Sequence, residues 1–293
     1  MNKFGPIITA MVTPYDELNQ ISPDRIRKLV LYLLKHGSSS LVVTGTTGEA
    51  SLLTALERLR VWETVVDFAG GLIPIIAGIG TNNTKTTIQN AKLAEEIGMD
   101  ALLVVTPYYV KPTQEGLFAH FQAVADATSL PLILYNVPSR TGVDLAVETI
   151  VELAKHENIV GIKEAGGGAL RLKQLKEALP DQFLIYTGDD ALFYEALVLG
   201  CEGVVSVASQ VVGNQMSLIA SDFENGNVEA AQKQNERLQL VYEQLMSKTN
   251  PIVIKAVLNE REMDVGALRL PLVALKPYES SEIYQQIKDL LDD

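Results

Sequence analysis

The residue with the clearest chemical potential is Lys163, which lies in the short apolar run IVGIKE at residues 159–164. Such a run is typical of a parallel strand that is buried on both faces. Burial disfavours the charged form of an ammonium group, and a neutral lysine is a nucleophile that can form a Schiff base with a carbonyl substrate. In the alternative interpretation, Lys163 is a strand-end lysine that extends into solvent or pairs with Glu164. The residues around it must decide between the two.

Other polar side chains follow other apolar runs at the point where each run ends. In the sequence TGTTGE at residues 44–49, the glycines would let backbone amides face a carboxylate, although an ordinary loop is an equally good interpretation. A tyrosine can move protons, and an arginine can hold a carboxylate by two hydrogen bonds, whereas a single tyrosine is more often a packing residue. The candidates are Thr46, Thr47, Tyr108, Tyr109, Tyr135, Arg140, Gly188, Asp189, Asp190 and Ser206.

These positions depend on a regular alternation of elements along the chain. Short runs rich in Val, Ile and Leu predict strands, and the longer amphipathic segments between them predict helices. The predicted strands are Ile7–Val12, Ser40–Thr44, Pro74–Ala77, Ala101–Val105, Leu132–Tyr135, Val160–Lys163, Phe183–Thr187 and Gly203–Val207. The predicted helices are Ser22–His36, Asn83–Ile97, Gln114–Ala127, Ala146–His156, Leu170–Leu179, Val228–Met246, Pro251–Asn259 and Ser280–Leu291.

This alternation predicts an α/β fold, a (β/α)8 TIM barrel over residues 1–224 followed by a C-terminal helical region over residues 225–293 that packs on the barrel. The turn signal at residues 225–227 separates the two parts. In such a barrel, the active site lies at the carboxyl ends of the strands. Lysine, tyrosine, threonine and arginine side chains are therefore expected on one rim, and their co-location is what favours the catalytic interpretation of Lys163.

The composition argues against several other kinds of function. The chain has 293 residues and a net charge of -12, which gives no electrostatic reason to bind nucleic acid or an anionic membrane. With one cysteine, Cys201, there is no disulfide framework or cysteine-based metal site, and a buried structural thiol is expected. There is no signal-peptide pattern and no apolar run near the roughly 20 residues of a membrane span, so a cytoplasmic location is expected.

Cofactor motifs are equally scarce. The three histidines, His36, His120 and His156, fall in predicted helices or at their ends and form no zinc-ligand pattern. There is no dinucleotide fingerprint. The glycines at residues 166–168 follow a strand, but the Lys-Ser/Thr pair of a phosphate loop does not follow them. No zinc site, dinucleotide site or phosphate loop is therefore indicated.

Four motifs together resemble the family of 4-hydroxy-tetrahydrodipicolinate (dihydrodipicolinate) synthases, within the pyruvate-dependent, lysine Schiff-base lyase/synthase superfamily. They are GTTGE at 45–49, TPYY at 106–109, YNVPSRTG at 135–142 and GIKE at 161–164, and the resemblance continues through NP at 250–251 and LRLPLV at 268–273. It covers essentially the whole chain in order. The resemblance implies a TIM barrel that condenses pyruvate with L-aspartate 4-semialdehyde in diaminopimelate and lysine biosynthesis.

The resemblance also implies a role for each matching residue. Lys163 would form the Schiff base with pyruvate, with Tyr135 beside it as proton donor and acceptor. The protonated imine would itself be the electron sink, so the resemblance implies that neither a metal nor an organic cofactor is needed. Thr47 would link Tyr135 to Tyr109 in a proton relay, and Tyr109 would reach the site of a neighbouring subunit, so a homo-oligomer (a dimer or a dimer of dimers) is implied. The further substrate contacts would be the amides of Thr46 and Thr47 for the pyruvate carboxylate, Arg140 for the semialdehyde carboxylate, and the backbone of Gly188 and Val205.

The chain departs from the family pattern at positions that leave this set intact. Ala50, Val110 and Val253 replace the Ser, Asn and second Pro that family members often carry. At the site where some members bind inhibitory lysine, the aligned residues are Ala55, Arg58 and Thr86, although Asn82 and Tyr108 match. An added positive charge and a missing carboxylate both disfavour a cationic ligand, so weak or absent inhibition by lysine is expected.

Two other functions compete with the synthase interpretation. N-acetylneuraminate lyases and 2-keto-3-deoxy sugar acid aldolases would share Lys163, Tyr135 and the threonine loop, but a sugar substrate has no carboxylate to place at Arg140. The pair Thr46-Thr47 also favours the synthase, because neuraminate lyases usually have Ser-Thr there. A barrel that only binds a small molecule is possible on fold alone, but such a protein has no use for a proton relay.

Overall fold

The computed structural model describes residues 4–292, and its centre is a closed barrel of eight parallel strands in sequence order. The strands are β1 (Ile7–Ala10), β2 (Ser40–Val43), β3 (Ile75–Gly78), β4 (Ala101–Val105), β5 (Leu132–Asn136), β6 (Ile159–Glu164), β7 (Leu184–Thr187) and β8 (Gly203–Ser206). All eight predicted strands are present, and the ends differ from the prediction by two residues or fewer. The predicted TIM barrel is confirmed.

Helices connect the strands and cover the outside of the barrel. They are α1 (Pro23–Lys35), α2 (Ala55–Ala69), α3 (Thr84–Ile97), α4 (Gln114–Ala125), α5 (Pro138–Thr141), α6 (Val147–Leu153), α7 (Gly168–Ala178), α8 (Phe193–Val198) and α9 (Ser209–Glu224). Local signals set several of their ends. The Ser22 hydroxyl accepts a hydrogen bond from the amide of Arg25 at the start of α1, and Gly98 ends α3 with a φ of 90°, a conformation that glycine adopts without strain.

Two apolar layers hold this arrangement together, because each strand buries both of its faces. On β5, Ile133 and Tyr135 point into the barrel, where they pack with residues such as Val205. Leu132 and Leu134 point outward and pack against the helices. The alternation follows from the pleat of a strand, in which successive side chains lie on opposite faces. The direction of each polar side chain near a strand end is therefore fixed by its position in the strand.

Three more helices complete the chain: α10 (Val228–Met246), α11 (Ile252–Glu260) and α12 (Pro277–Ile287). The last begins three residues before the predicted Ser280, because Pro277 suits the first turn and Glu279 accepts a hydrogen bond from the amide of Lys276. Helix α10 packs against α9. The division into residues 1–224 and 225–293 stays a prediction. None of the helices in residues 4–292 is both long enough and apolar enough to span a bilayer.

Candidate active site

Lys163 points into the barrel near the carboxyl end of β6. It lies in register between Tyr135 on β5 and Tyr186 on β7, and both tyrosines belong to the apolar cluster inside the barrel. The Lys163 side chain is buried, and its Nζ lies 4.4 Å from the centroid of the Tyr135 ring. Within residues 4–292, this Nζ forms no ion pair and no hydrogen bond. Lys163 is thus a buried amine without a carboxylate partner in the described part of the chain.

Glu164 points the other way, out of the barrel, because it is the next residue of the same strand. Its carboxylate accepts hydrogen bonds from Asn136 at 3.0 Å and from the Gly166 amide at 2.7 Å, and it lies 3.3 Å from the Nε of Arg171. Burial raises the pKa of Glu164 to about 7, and the Asn136 and Arg171 contacts offset part of that rise. A pair between Lys163 and Glu164, the alternative reading of the sequence, is therefore wrong.

The glycine segment after β6 is organised by the same carboxylate. The Gly166 amide, which a phosphate loop would present to its ligand, donates to Glu164 instead. A buried carboxylate at this place disfavours a second anion. The structure thus agrees with the missing Lys-Ser/Thr signal in giving no support to phosphate binding at residues 166–168.

Gly188, at the end of β7, leaves the space that Lys163 occupies. A Cβ added to Gly188 would lie 2.9 Å from Cε of Lys163 and 2.7 Å from Cβ of Ala165. Any side chain at this position would therefore press on the lysine. Val205 on β8 is also inside the barrel, in the apolar cluster that contains Tyr135. Both predicted lining residues lie in the barrel interior, and Gly188 is directly beside the lysine.

A cavity of about 270 Å³ opens at this end of the barrel. Thr46, from the loop after β2, and Tyr135 both line it. Arg140, from the short helix α5, lines it as well and has an exposed side chain. Tyr108 lines it too. Four of the candidates, Thr46, Tyr108, Tyr135 and Arg140, therefore surround one space, and Lys163 lies against the Tyr135 ring.

Thr47 is buried at the same end of the barrel and is contacted by the C-terminal region. Its Oγ1 accepts a hydrogen bond from Nδ2 of Asn250 at 2.9 Å. The carbonyl oxygen of Asn250 in turn accepts from Nη2 of Arg140 at 3.4 Å. Asn250 therefore contacts both a proposed relay residue and a proposed carboxylate-binding residue. The sequence pointed to Asn250 only as part of the NP motif at 250–251 and predicted no role for it in the site.

Tyr109 is not part of the cavity of its own chain. Its side chain is 87% exposed, and its backbone has a φ of 73°, in the left-handed region that is uncommon for residues other than glycine. The Tyr109 amide donates to the carbonyl of Thr141 at 3.2 Å, which holds the turn in place. The tyrosine is therefore presented outward from the rim of the barrel.

Three acidic or hydroxyl residues after β7 and β8 have structural contacts. Oδ2 of Asp190 accepts hydrogen bonds from the amides of Val207 at 3.1 Å and Ala208 at 2.9 Å, and burial raises the pKa of Asp190 to about 6. The Ser206 hydroxyl accepts from the Ser209 amide at 2.8 Å. Asp189 caps the short turn that follows it. These side chains hold the loops after β7 and β8.

A second buried lysine, in the C-terminal region, was missed by sequence reasoning. Nζ of Lys255 lies 2.8 Å from Oε1 of Glu49 and 2.7 Å from the carbonyl oxygen of Ala267, and both charged side chains are buried. Burial lowers the pKa of Lys255 to about 8, and Glu49 partly offsets this. Because Glu49 ends the threonine loop, the ion pair fastens that loop to α11.

Arg58 lines the cavity on the side of α2. Its Nη2 donates to the carbonyl of Ala50 at 3.3 Å, its Nε has no hydrogen-bond partner within residues 4–292, and burial lowers its pKa. No described carboxylate pairs with it. Across the same part of the chain, no group of three or more His, Cys, Asp or Glu side chains is arranged to hold a metal ion.

Comparison with known proteins places this geometry in context. Residues 3–291 match the model of the dihydrodipicolinate synthetase family. Two similar relatives are 4-hydroxy-tetrahydrodipicolinate synthase 1 of Halalkalibacterium halodurans, 45% identical and covering 95% of each chain, and the 4-hydroxy-tetrahydrodipicolinate synthase of Bacillus subtilis, 43% identical and covering 98% of this chain and 99% of the other. A crystal structure of a dihydrodipicolinate synthase from Bacillus anthracis is 42% identical, with a TM-score of 0.96 over 100% of both chains.

Proposed function

The chain belongs to the dihydrodipicolinate synthetase family, and we propose that it condenses pyruvate with L-aspartate 4-semialdehyde to give 4-hydroxy-tetrahydrodipicolinate, in diaminopimelate and lysine biosynthesis. The observation that most supports this proposal is the environment of the Lys163 amine. Its amine is buried inside the barrel beside Tyr135, with no carboxylate partner among residues 4–292. An amine that no ion pair or hydrogen bond engages is available to attack a ketone.

The proposed reaction has four steps. The Lys163 amine adds to the pyruvate ketone, and loss of water gives an imine. Loss of a proton from the methyl carbon of pyruvate gives an enamine, because the protonated imine accepts the electron pair. The enamine carbon then attacks the aldehyde of the second substrate. Finally, the amino group of that substrate attacks the imine carbon, which closes the ring and releases Lys163. The protonated imine acts as the electron sink, so the steps need no organic cofactor.

The other residues have roles that their positions support. Tyr135 is next to the amine and is placed to donate and accept the protons of imine formation. The amides of Thr46 and Thr47 would bind the pyruvate carboxylate, and Arg140, at the edge of the cavity, would bind the carboxylate of the semialdehyde. Gly188 and Val205 would line the pocket around the imine.

Tyr109 supports an oligomeric enzyme, because its exposed side chain points away from its own cavity. In the proposal, Tyr109 completes the relay of a neighbouring subunit through Thr47, in a dimer or a dimer of dimers. Mixing Tyr109→Phe chains with Lys163→Ala chains tests this, since hybrid dimers would contain one intact site made from both parents. Activity that rises on mixing is expected, and no recovery in a proven hybrid would remove Tyr109 from the shared site. A soluble, cytoplasmic enzyme is part of the same proposal.

The direct test is turnover of the purified protein with pyruvate and L-aspartate 4-semialdehyde, in which a coupled reductase consumes the cyclic product. N-acetylneuraminate and a 2-keto-3-deoxy sugar acid serve as competing substrates. Rapid product formation from the semialdehyde is expected, whereas cleavage of a sugar acid without synthase activity would assign the barrel to the other branch of the superfamily. Arg140→Ala is expected to raise KM for the semialdehyde far more than KM for pyruvate.

Regulation by lysine is expected to be weak or absent. Arg58 places a positive charge against the cavity, and neither Ala55 nor Thr86 supplies a carboxylate. A cationic ligand would therefore lack a counter-charge at these positions. The measurement is the initial rate at increasing lysine concentration, and half-maximal inhibition below about 1 mM would contradict the expectation.

A further inference from the structure

Asn250 connects the C-terminal region to the active site through two separate contacts. It lies just before α11 and is 9% exposed. Its side-chain Nδ2 donates to Oγ1 of Thr47, and its carbonyl oxygen accepts from Nη2 of Arg140. The partners are 203 and 110 residues away in the sequence. One residue outside the barrel therefore touches both a proposed proton-relay group and a proposed substrate-binding group.

We propose that Asn250 is a positioning residue that sets the direction of the hydrogen bond at Thr47. This inference deepens the proposed function and rests on it, because it assumes that Thr47 passes protons. A threonine hydroxyl has one proton to donate and two lone pairs that accept. Because Asn250 donates to Thr47 Oγ1, the proton of Thr47 stays free to be donated to a tyrosine oxygen.

The direction of this bond matters because a relay works only when each hydroxyl accepts from one side and donates to the other. A donor that is fixed on Thr47 also strengthens the hydrogen bond that Thr47 itself donates. If the partner were a carboxylate, which only accepts, the Thr47 proton would turn toward it and away from the tyrosines. The buried position of Asn250 and Thr47 limits replacement of the amide by solvent.

Asn250 contacts Thr47 with its side chain but Arg140 with its backbone, so the two contacts can be tested separately. Arg140 binds the backbone carbonyl of Asn250, and a side-chain substitution leaves this acceptor in place. A change of the Asn250 side chain should therefore affect proton transfer, seen in kcat, more than semialdehyde binding, seen in KM. A role that merely supports the fold would not separate the two parameters in this way.

The test is exchange of the methyl protons of pyruvate with deuterium from solvent, measured by proton NMR. This exchange needs the imine, the enamine and proton transfer, but not the second substrate. Asn250→Asp is expected to slow both exchange and turnover by about tenfold or more, while KM for the semialdehyde changes by less than about twofold. Asn259→Asp, on α11, is the matched amide-to-carboxylate control and is expected to keep wild-type exchange. Asn250→Ala removes the donor without adding a charge and replaces Asn250→Asp if that variant does not fold.

The decisive comparison is a double-mutant cycle with Thr47→Val. Because Asn250 acts through the Thr47 hydroxyl, adding Asn250→Asp to Thr47→Val is expected to cause little further loss of exchange. Losses that multiply, or wild-type exchange in a folded Asn250→Asp or Asn250→Ala protein, would overturn the proposal. If the wild type exchanges pyruvate protons but makes no cyclic product from the semialdehyde, the proposed function fails while Asn250 is still tested. A wild type without any exchange overturns both.

Discussion

Within residues 4–292, two lysines are buried beside a tyrosine ring, and they differ in their partners. Lys163 and Lys255 are 6% and 2% exposed, and their Nζ atoms lie 4.4 Å and 4.1 Å from the ring centroid of Tyr135 and Tyr15 respectively. Each also has a glutamate close by. Glu49 pairs with Lys255, whereas Glu164 follows Lys163 in sequence and points to the opposite face of its strand.

The difference shows that burial and an aromatic neighbour do not by themselves identify a nucleophile. Lys255 has a carboxylate at 2.8 Å and a backbone carbonyl at 2.7 Å, so its amine is occupied by structural contacts. Lys163 has neither within residues 4–292, and it lies beside the cavity that Tyr135 lines. On this ground we propose Lys163 rather than Lys255 as the nucleophile. Four sets of variants test the comparison.

The largest effect is expected from removing each lysine in turn and measuring turnover. Lys163→Ala takes away the nucleophile, so turnover should fall by about a thousandfold or more, and no covalent intermediate should form. Lys255→Met should keep the ability to form an imine, because the Lys255 amine takes no part in it. Substantial turnover in Lys163→Ala, or loss of imine formation in a folded Lys255→Met protein, would contradict the assignment.

The second effect is on stability and is specific to Lys255. Lys255→Met leaves Glu49 as an uncompensated buried charge, so the free energy of unfolding should fall by about 3–5 kcal/mol. The double variant Glu49→Gln/Lys255→Met removes both charges and should recover most of that loss, because an apolar or neutral replacement of a whole buried pair is often tolerated. Urea denaturation measures both variants. A double variant as unstable as the single one would show that the ion pair is not the cause.

The third effect concerns Glu164, the carboxylate that does not pair with Lys163. Its pKa rises from 4.5 to about 7 on folding, so the folded state binds its proton more tightly than the unfolded state. The stability that this proton contributes is present below pH 4.5 and is lost as the pH rises through 7. Compared with Glu164→Gln, which cannot titrate there, the wild type should lose about 3 kcal/mol between these limits.

Denaturation of wild type and Glu164→Gln at pH 5 and pH 8 measures this difference directly, and the contribution of every group other than residue 164 cancels to first order. A constant difference between the two proteins would show that Glu164 keeps the same pKa in the folded and unfolded states.

The smallest effects are expected at Tyr135 and Tyr15, the tyrosines beside the two lysines. Removing the hydroxyl should lower turnover at Tyr135 but not at Tyr15. Tyr135→Phe removes a proposed proton carrier, so turnover should fall by about a hundredfold while pyruvate can still form an imine. The Tyr15 hydroxyl is buried without a hydrogen-bond partner in the described residues. Tyr15→Phe should therefore keep wild-type turnover and should leave stability unchanged or raise it by about 1 kcal/mol. A loss of activity in Tyr15→Phe would break the comparison, as would normal turnover in Tyr135→Phe.

The part of the fold that the sequence predicts best is the barrel, and the reason is local. Strands such as β4 and β5 are continuous apolar runs, and the helices begin and end at signals such as Ser22 and Gly98. The place of Lys163 at the end of β6 follows from the same pattern. The face on which each side chain of a strand lies then follows from the pleat. Thr46, Tyr135 and Arg140 line one cavity, whereas the roles of these residues in the reaction stay predictions.

What the sequence does not predict depends on contacts between distant segments. Lys255 and Glu49 are 206 residues apart, and a lysine on a helix such as α11 is usually exposed. Asn250 reaches Thr47 across a similar separation. In both cases, the packing of the C-terminal region against the loop after β2 determines which residues meet, and no local sequence pattern predicts that packing.

The most direct test of the account is to locate the covalent adduct that pyruvate forms with the protein. The wild type is incubated with pyruvate, reduced with borohydride and digested, and the modified peptide is sequenced by mass spectrometry. A single reduced pyruvate adduct is expected on Lys163, with Lys255 unmodified in the same sample. An adduct on Lys255, or no adduct on either lysine, would contradict the claim that the buried lysine without a carboxylate partner is the nucleophile.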